Sequence, residues 1–169
     1  MVLHQMKYTI YTDGSAIKNV SSPTTPAGWG YLVIEGEVGA AHNGGTTIEE
    51  DYGKVVTDRS HPLYRGAEVG SNNTAELSAI YWALDWISRS DATEVDLYSD
   101  SKYALGVVFG NWKAKKNVEL VSKCRQLATL LEMRFVKVEA QHIKAHTGFR
   151  WNERADALAY AAARRTLPE

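Results

Sequence analysis

Apolar and polar positions alternate along "KYTIYT", residues 7 to 12, and the alternation continues through "GWGYLVIEGEVGAA", breaking near Gly36. A period of two built from β-branched and aromatic residues predicts strands, so the chain opens with three extended runs. The period then changes. In "NNTAELSAIYWALDWISRS" the positions Glu76, Ile80, Ala83 and Ile87 fall on one face at helical spacing, and the short run "EVDLYS" returns to strand. A short helix from about Ser101, a longer one over "VELVSKCRQLATLLEM", a strand within "RFVKVEAQHIKA" and an alanine-rich helix from about Trp151 complete the chain. The order βββ-α-β-α-α-β-α predicts an α/β fold, a mixed sheet covered by helices, and without repeat or linker residues 1–169 are expected to form one domain. Thr46 to Gly70 fits neither period and is long for a connection. A mobile loop, an extra hairpin and a functional lid all suit it.

Composition narrows the class without choosing a function. A chain of 169 residues, 44% hydrophobic and 23% charged, can bury a full core and has neither the disordered nor the fibrous signature. Cys124 stands alone, which excludes an internal disulfide and a multi-cysteine zinc site. No apolar run is long enough to span a bilayer and "MVLHQMKYTI" lacks the regions of a signal peptide, so a cytoplasmic setting and no membrane are expected. The net charge of -1 argues against nucleic-acid binding through overall positive charge. Locally the balance differs, because "WKAKKNVELVSKCR" sets Lys113, Lys115, Lys116, Lys123 and Arg125 against the single acid Glu119. A solvated helix face is the simpler account of that patch, and phosphate binding the alternative.

Four acids carry the candidate chemistry. Asp13 and Asp100 each close a strand, where open α/β sheets place their ligands, although Asp-Gly is also a common turn pair and Asp100 could cap the next helix. Glu76 lies three residues after Asn73, a capping-box spacing, yet it shares the stripe that faces the sheet, where an unpaired charge is costly. Asp156, beside an apolar row on the last helix, serves as an exposed acid or as a ligand equally well. Several carboxylates without thiolate or imidazole suit a hard divalent ion such as magnesium. His142 and His146 are spaced like a helical zinc motif, but strand running into a glycine turn and the missing glutamate speak against zinc. His146 is placed to reach a reacting phosphate, or is a surface turn histidine.

The motifs "YTDGS", "NNTAEL", "YSDSKYAL" and "KAHTGFRWNERADALA", in this order and spacing, resemble the type 1 ribonuclease H family. The resemblance covers most of the chain outside Thr46 to Gly70. It implies a ribonuclease H-like fold, a five-stranded mixed sheet flanked by helices, and endonucleolytic hydrolysis of the RNA strand of RNA/DNA hybrids with two magnesium ions, for which manganese substitutes. The products would carry 3'-hydroxyl and 5'-phosphate ends. Asp13, Glu76, Asp100 and Asp156 would hold the metal, and His146 would assist proton transfer or product departure. Gly14, Ser15, Asn72 and Asn73 would line the minor groove of the hybrid, and Asn19 and Ser71 would hold a phosphate of the DNA strand.

Two departures from the family pattern stand out. "GVVFGNWKAKKNVEL" leaves little room for the long basic handle of many members, so Trp112, Lys113, Lys115 and Lys116 are expected to act as a reduced version in substrate binding. The stretch 46–70 is read as an atypical insertion near the substrate groove. A non-catalytic hybrid-binding module and a DNA-directed nuclease of the same fold are the competing readings. Nothing in the chain demands an oligomer, and a monomer is expected.

Overall fold

The computed structural model describes residues 5–18 and 20–165. Five strands form one sheet: β1 (Lys7–Ala16), β2 (Ala27–Glu35), β3 (Thr46–Lys54), β4 (Glu94–Ser99) and β5 (Lys137–His142). Their order is β3-β2-β1-β4-β5, with β1, β2 and β3 antiparallel to their neighbours and β1, β4 and β5 parallel. The helices are α1 (Asn72–Arg89), α2 (Lys102–Val108), α3 (Val118–Met133) and α4 (Arg150–Ala163). Among the described residues, no helix is long and apolar enough to cross a membrane.

Alternation along the central strands separates two cores. Tyr8, Ile10, Trp29, Tyr31 and Val33 join the core shared with α1, α2 and α3, whereas Tyr11, Leu32 and Ile34 join the smaller core beneath α4. Both faces of β2 are therefore covered, which is why its run "YLVI" is apolar without interruption. Gly28 and Gly30 let α4 lie flush on β2: a Cβ at Gly28 would stand 2.3 Å from Ala163 N, and one at Gly30 2.7 Å from Leu158 Cβ.

The third strand lies further along the chain than its expected place just after Gly36. Residues 37–45 form a turning connection, and β3 is the first part of the stretch that shows no period in sequence. As an edge strand it keeps water beside most of its residues, including the exposed Ile48, and carries Glu49, Glu50, Asp51 and Lys54, which discourage further strand pairing. Residues 55–70 remain without regular secondary structure.

Helix starts also differ from expectation. Ser71, not Asn73, caps α1: its Oγ accepts from Thr74 N at 3.0 Å, and Thr74 Oγ1 accepts from Ser71 N at 2.9 Å. Ser101, not Asp100, caps α2, accepting from Ala104 N at 3.0 Å. Both caps release an acid for other work.

Candidate active site

Gly14 brings the end of β1 against the start of α1. A Cβ there would stand 2.4 Å from both Ala75 C and Glu76 N, so only glycine allows Asp13 and Glu76 to approach this closely. Asn72 Oδ1 secures the junction by accepting from Ala16 N at 3.1 Å. Parallel pairing of β1 with β4 then carries Asp100, the residue after β4, to the same end of the sheet. Carboxylate oxygens of Asp13, Glu76 and Asp100 consequently lie within 4.8 Å of one another.

Three acids in one place form an electrostatically strained group. Asp13 is buried; its carboxyl is pushed from the ordinary 3.8 up to about 8 by burial, with the charges of Asp100 and Asp156 adding to the effect. Its Oδ1 accepts from Gly14 N at 2.8 Å, which relieves a part. Burial first, then the charges of Asp13 and Asp100, hold the Glu76 carboxyl well above the usual range. Asp100 is raised by burial and by Asp156, against the opposing pull of His146 and His142. No lysine or arginine pairs with these three acids among the described residues. Glu76 Oε2 is buried and meets no hydrogen-bond donor among the described residues.

An all-oxygen donor set of this kind fits a hard divalent cation, which would relieve the repulsion and satisfy the stranded Glu76 oxygen. Asp156 falls in an adjoining group with His146 and Glu153, whose ligand atoms also lie within 4.8 Å of one another. Its charge reaches Asp13 and Asp100. Glu153 was missed in sequence; it lies three residues before Asp156 on α4, a helical spacing that would have revealed it.

His146 stands in a short turn between two fixed points. Its φ of 55° is in the left-handed region, and Thr147 Oγ1 donates to Lys144 O at 3.1 Å within the turn. Before it, Ile143 N donates to Ser99 O at 3.0 Å. After it, the ring of Phe149 lies 5.1 Å from that of His42, which also packs edge-on to Tyr98 at 4.8 Å and whose Nδ1 lies 2.6 Å from the Tyr11 hydroxyl. Trp151 Nε1 donates to Gly44 O at 2.7 Å, tying α4 to the β2–β3 connection.

The expected substrate residues divide. Ser71, Asn73, Lys115 and Lys116 line one groove of about 1010 Å³ between the starts of α1 and α3. Gly14 and Ser15 lie at the end of β1, where Asn72 braces the backbone. Trp112 and Lys113 do not line that groove; Trp112 packs its ring over Gly106, and its carbonyl accepts from Arg125 at 2.9 Å. Asn19 lies outside the described residues.

Comparison with known proteins agrees with this geometry. The RNase H family model matches residues 5–164. A ribonuclease H of Chlorobium phaeovibrioides is 31% identical over 175 residues, covering 95% of this chain and 98% of the relative. One from Polaromonas is 31% identical, covering 96% and 92%. Among solved structures, the N-terminal RNase H domain of a Mycobacterium tuberculosis protein superposes with a TM-score of 0.68 at 25% identity, covering 94% of each chain. An RNase H1 isolated from compost, solved in complex with an RNA/DNA hybrid, gives 0.65 at 26% identity, covering 92% of this chain and 96% of that one. Motifs, sheet order and the three converging acids thus meet in one conclusion: the chain belongs to the RNase H family of ribonucleases.

Proposed function

We propose that this chain, as a monomeric single-domain enzyme of the cytoplasm, hydrolyses the RNA strand of RNA/DNA hybrids by a two-metal mechanism, leaving 3'-hydroxyl and 5'-phosphate ends. The observation that carries the reading is Glu76 Oε2, buried within a group of three carboxylates and, among the described residues, without a donor or a basic partner. Magnesium-class cations, when bound, supply positive charge to the attacking and leaving oxygens of an in-line displacement, with manganese as a substitute.

The chain's own residues do the rest. Asp13, Glu76 and Asp100 would hold the cations, joined by Asp156 from α4. The burial of Asp13 and Glu76 keeps bulk water from screening that side of the charge that develops on the phosphate. His146 would carry a proton at a ring nitrogen to or from the reacting phosphate and assist departure of the product, from a position beside Asp156 and Glu153.

Recognition uses the 2'-hydroxyls that distinguish RNA from DNA. Gly14, Ser15, Asn72 and Asn73 would face the minor groove, and Asn19 and Ser71 a phosphate of the DNA strand. Lys115 and Lys116, with Trp112 and Lys113 behind them, would meet further phosphates. Residues 55–70 shape that groove and substrate choice: Gly66, Glu68 and Val69 line it, and the segment is fastened to α3 by Arg59 and Tyr64 on Glu119.

Labelled RNA annealed to DNA, incubated in magnesium, tests the proposal beside single-stranded RNA, all-RNA and all-DNA duplexes. Cleavage of the hybrid alone, lost in Asp13→Asn, is expected. Binding without cleavage in magnesium and manganese would overturn it in favour of a binding module, and cleavage of DNA in favour of a DNA-directed nuclease.

A further inference from the structure

A cavity of about 540 Å³ opens between the β3 edge, α1, the end of α4 and the 55–70 segment, and none of Asp13, Glu76, Asp100, His146 or Asp156 lines it. Its volume is in the range of small-molecule sites. Its wall is aromatic: Trp29 stacks on Trp82 with ring centroids 5.7 Å apart, and Tyr52 stands on the neighbouring strand. Gly53 keeps that wall flat, since a Cβ there would stand 2.8 Å from the Trp29 ring.

Around this wall the charge is positive. Arg65 lies 5.0 Å from the Trp82 ring centre and 5.6 Å from that of Tyr81. Its Nε donates to Tyr81 Oη at 3.0 Å, and its Nη1 to Pro62 O at 3.0 Å and Tyr64 O at 2.8 Å. The fork is thus fixed in place, while Nη2 has no partner and the guanidinium meets no carboxylate among the described residues. Lys54 also lines the cavity, as does Arg165, which lies over the Tyr52 ring and donates to its hydroxyl. Asp51 is the one acid on the wall, and its Oδ1 is engaged by Tyr52 N at 2.8 Å.

We propose that this cavity is a second ligand site, for a flat aromatic anion of the nucleotide class. Trp29 is already stacked on Tyr31 and Trp82, and Arg65 and Arg165 lie over Trp82 and Tyr52, so a base packs against this aromatic wall within the cavity while its phosphate meets the unused edge of Arg65 with Lys54 and Arg165. Trp29 pairs in register with Gly14, next to Asp13, so the site lies one strand away from the acid cluster. It therefore takes either a free nucleotide or the unpaired terminal nucleotide of a strand lying in the hybrid groove.

The test follows the indole N–H resonances of the five tryptophans in the full-length, ¹⁵N-labelled, metal-free chain during titration with adenosine 5'-monophosphate, adenosine or inorganic phosphate. The expected result is saturable movement of Trp29 and Trp82, with the monophosphate acting at least about tenfold more strongly than either fragment. Arg65→Gln should raise the half-saturation point about fivefold or more, and Lys54→Ala, a milder change at the rim, about twofold. Equal potency of adenosine, movement of Trp112 alone, or indifference to both variants would overturn the proposal. A hybrid with a one-nucleotide overhang, compared with a blunt one, identifies the source: movement of the same indoles by the overhang assigns a strand end, and movement by the mononucleotide alone a free nucleotide. If neither moves them, the site does not exist, whatever the outcome of the cleavage assay.

Discussion

Strands β1 and β4 run in parallel and carry charge at both ends, but the two ends treat it oppositely. Where the strands begin, Lys7 meets Glu94 at 3.0 Å and Asp96 at 3.5 Å, with solvent around the pair. Where they finish, the half-buried Asp100 converges with the buried Asp13 and Glu76, and no basic side chain pairs with them among the described residues. The first end is neutralised and exposed, so little depends on it. The second gathers three acids at a cost to folding, and that uncompensated cost is what supports reading it as the place proposed for the chemistry.

Removing an acid should separate the two ends most sharply. Asp13→Asn or Glu76→Gln is expected to lower hybrid cleavage by about 10³-fold or more, measured as initial rate in magnesium, while metal-free binding of the hybrid changes little. Lys7→Ala should leave the same rate unchanged. Equal losses would erase the distinction.

A second consequence has the opposite sign. Asp13 is raised from 3.8 to about 8 in the folded chain, so between those values the folded state holds more protons than the unfolded one. Its contribution to stability is complete below pH 3.8 and disappears as pH rises through about 8. The metal-free chain should therefore lose melting temperature, on the order of 10 °C, between pH 5 and 8.5. Magnesium should restore it by mass action. Asp13→Asn should melt above wild type at pH 8 without metal, even as its cleavage rate falls. Scanning calorimetry of both chains over that range checks the sign.

Paired carboxylates should behave in the ordinary way. Arg154 grips Glu50 through Nε at 2.9 Å and Nη2 at 2.8 Å, clamping α4 to the β3 edge and holding the Glu50 carboxyl below its usual value. Arg154→Ala should cost about 0.5–1 kcal/mol at neutral pH, a melting shift of ~2–3 °C that shrinks in acid as Glu50 protonates. The smallest effect belongs to Lys7→Ala, a shift within about 1 °C that vanishes in high salt.

Much of this was legible in sequence because the relevant patterns were local. The glutamate on the sheet-facing stripe of α1 pointed to a buried acid and the strand-ending positions of Asp13 and Asp100 to a ligand-bearing end of the sheet, but their gathering beside Glu76 came from the family resemblance, since each strand-end acid also suited a turn or a cap. The half-wet edge strand β3 was not legible, since its residues alternate in neither hydrophobicity nor burial. Nor was the α1 cap, where Thr74 takes the place usually filled by glutamate or glutamine and so leaves Glu76 unengaged. The aromatic cavity joins residues more than a hundred positions apart, and no local spacing could have signalled it.

The turn that bears His146 has the mechanics of a short rope tied at both ends. Ser99 holds one end and the His42 cage the other, so the turn keeps the imidazole beside Asp156 and Glu153. Its motion involves a handful of bonds within Lys144–Gly148 and belongs to the nanosecond-to-microsecond range of loops. For the proton-transfer role proposed for His146, a turn tied in this way would confine any movement to the turn itself, with the sheet beneath it unmoved.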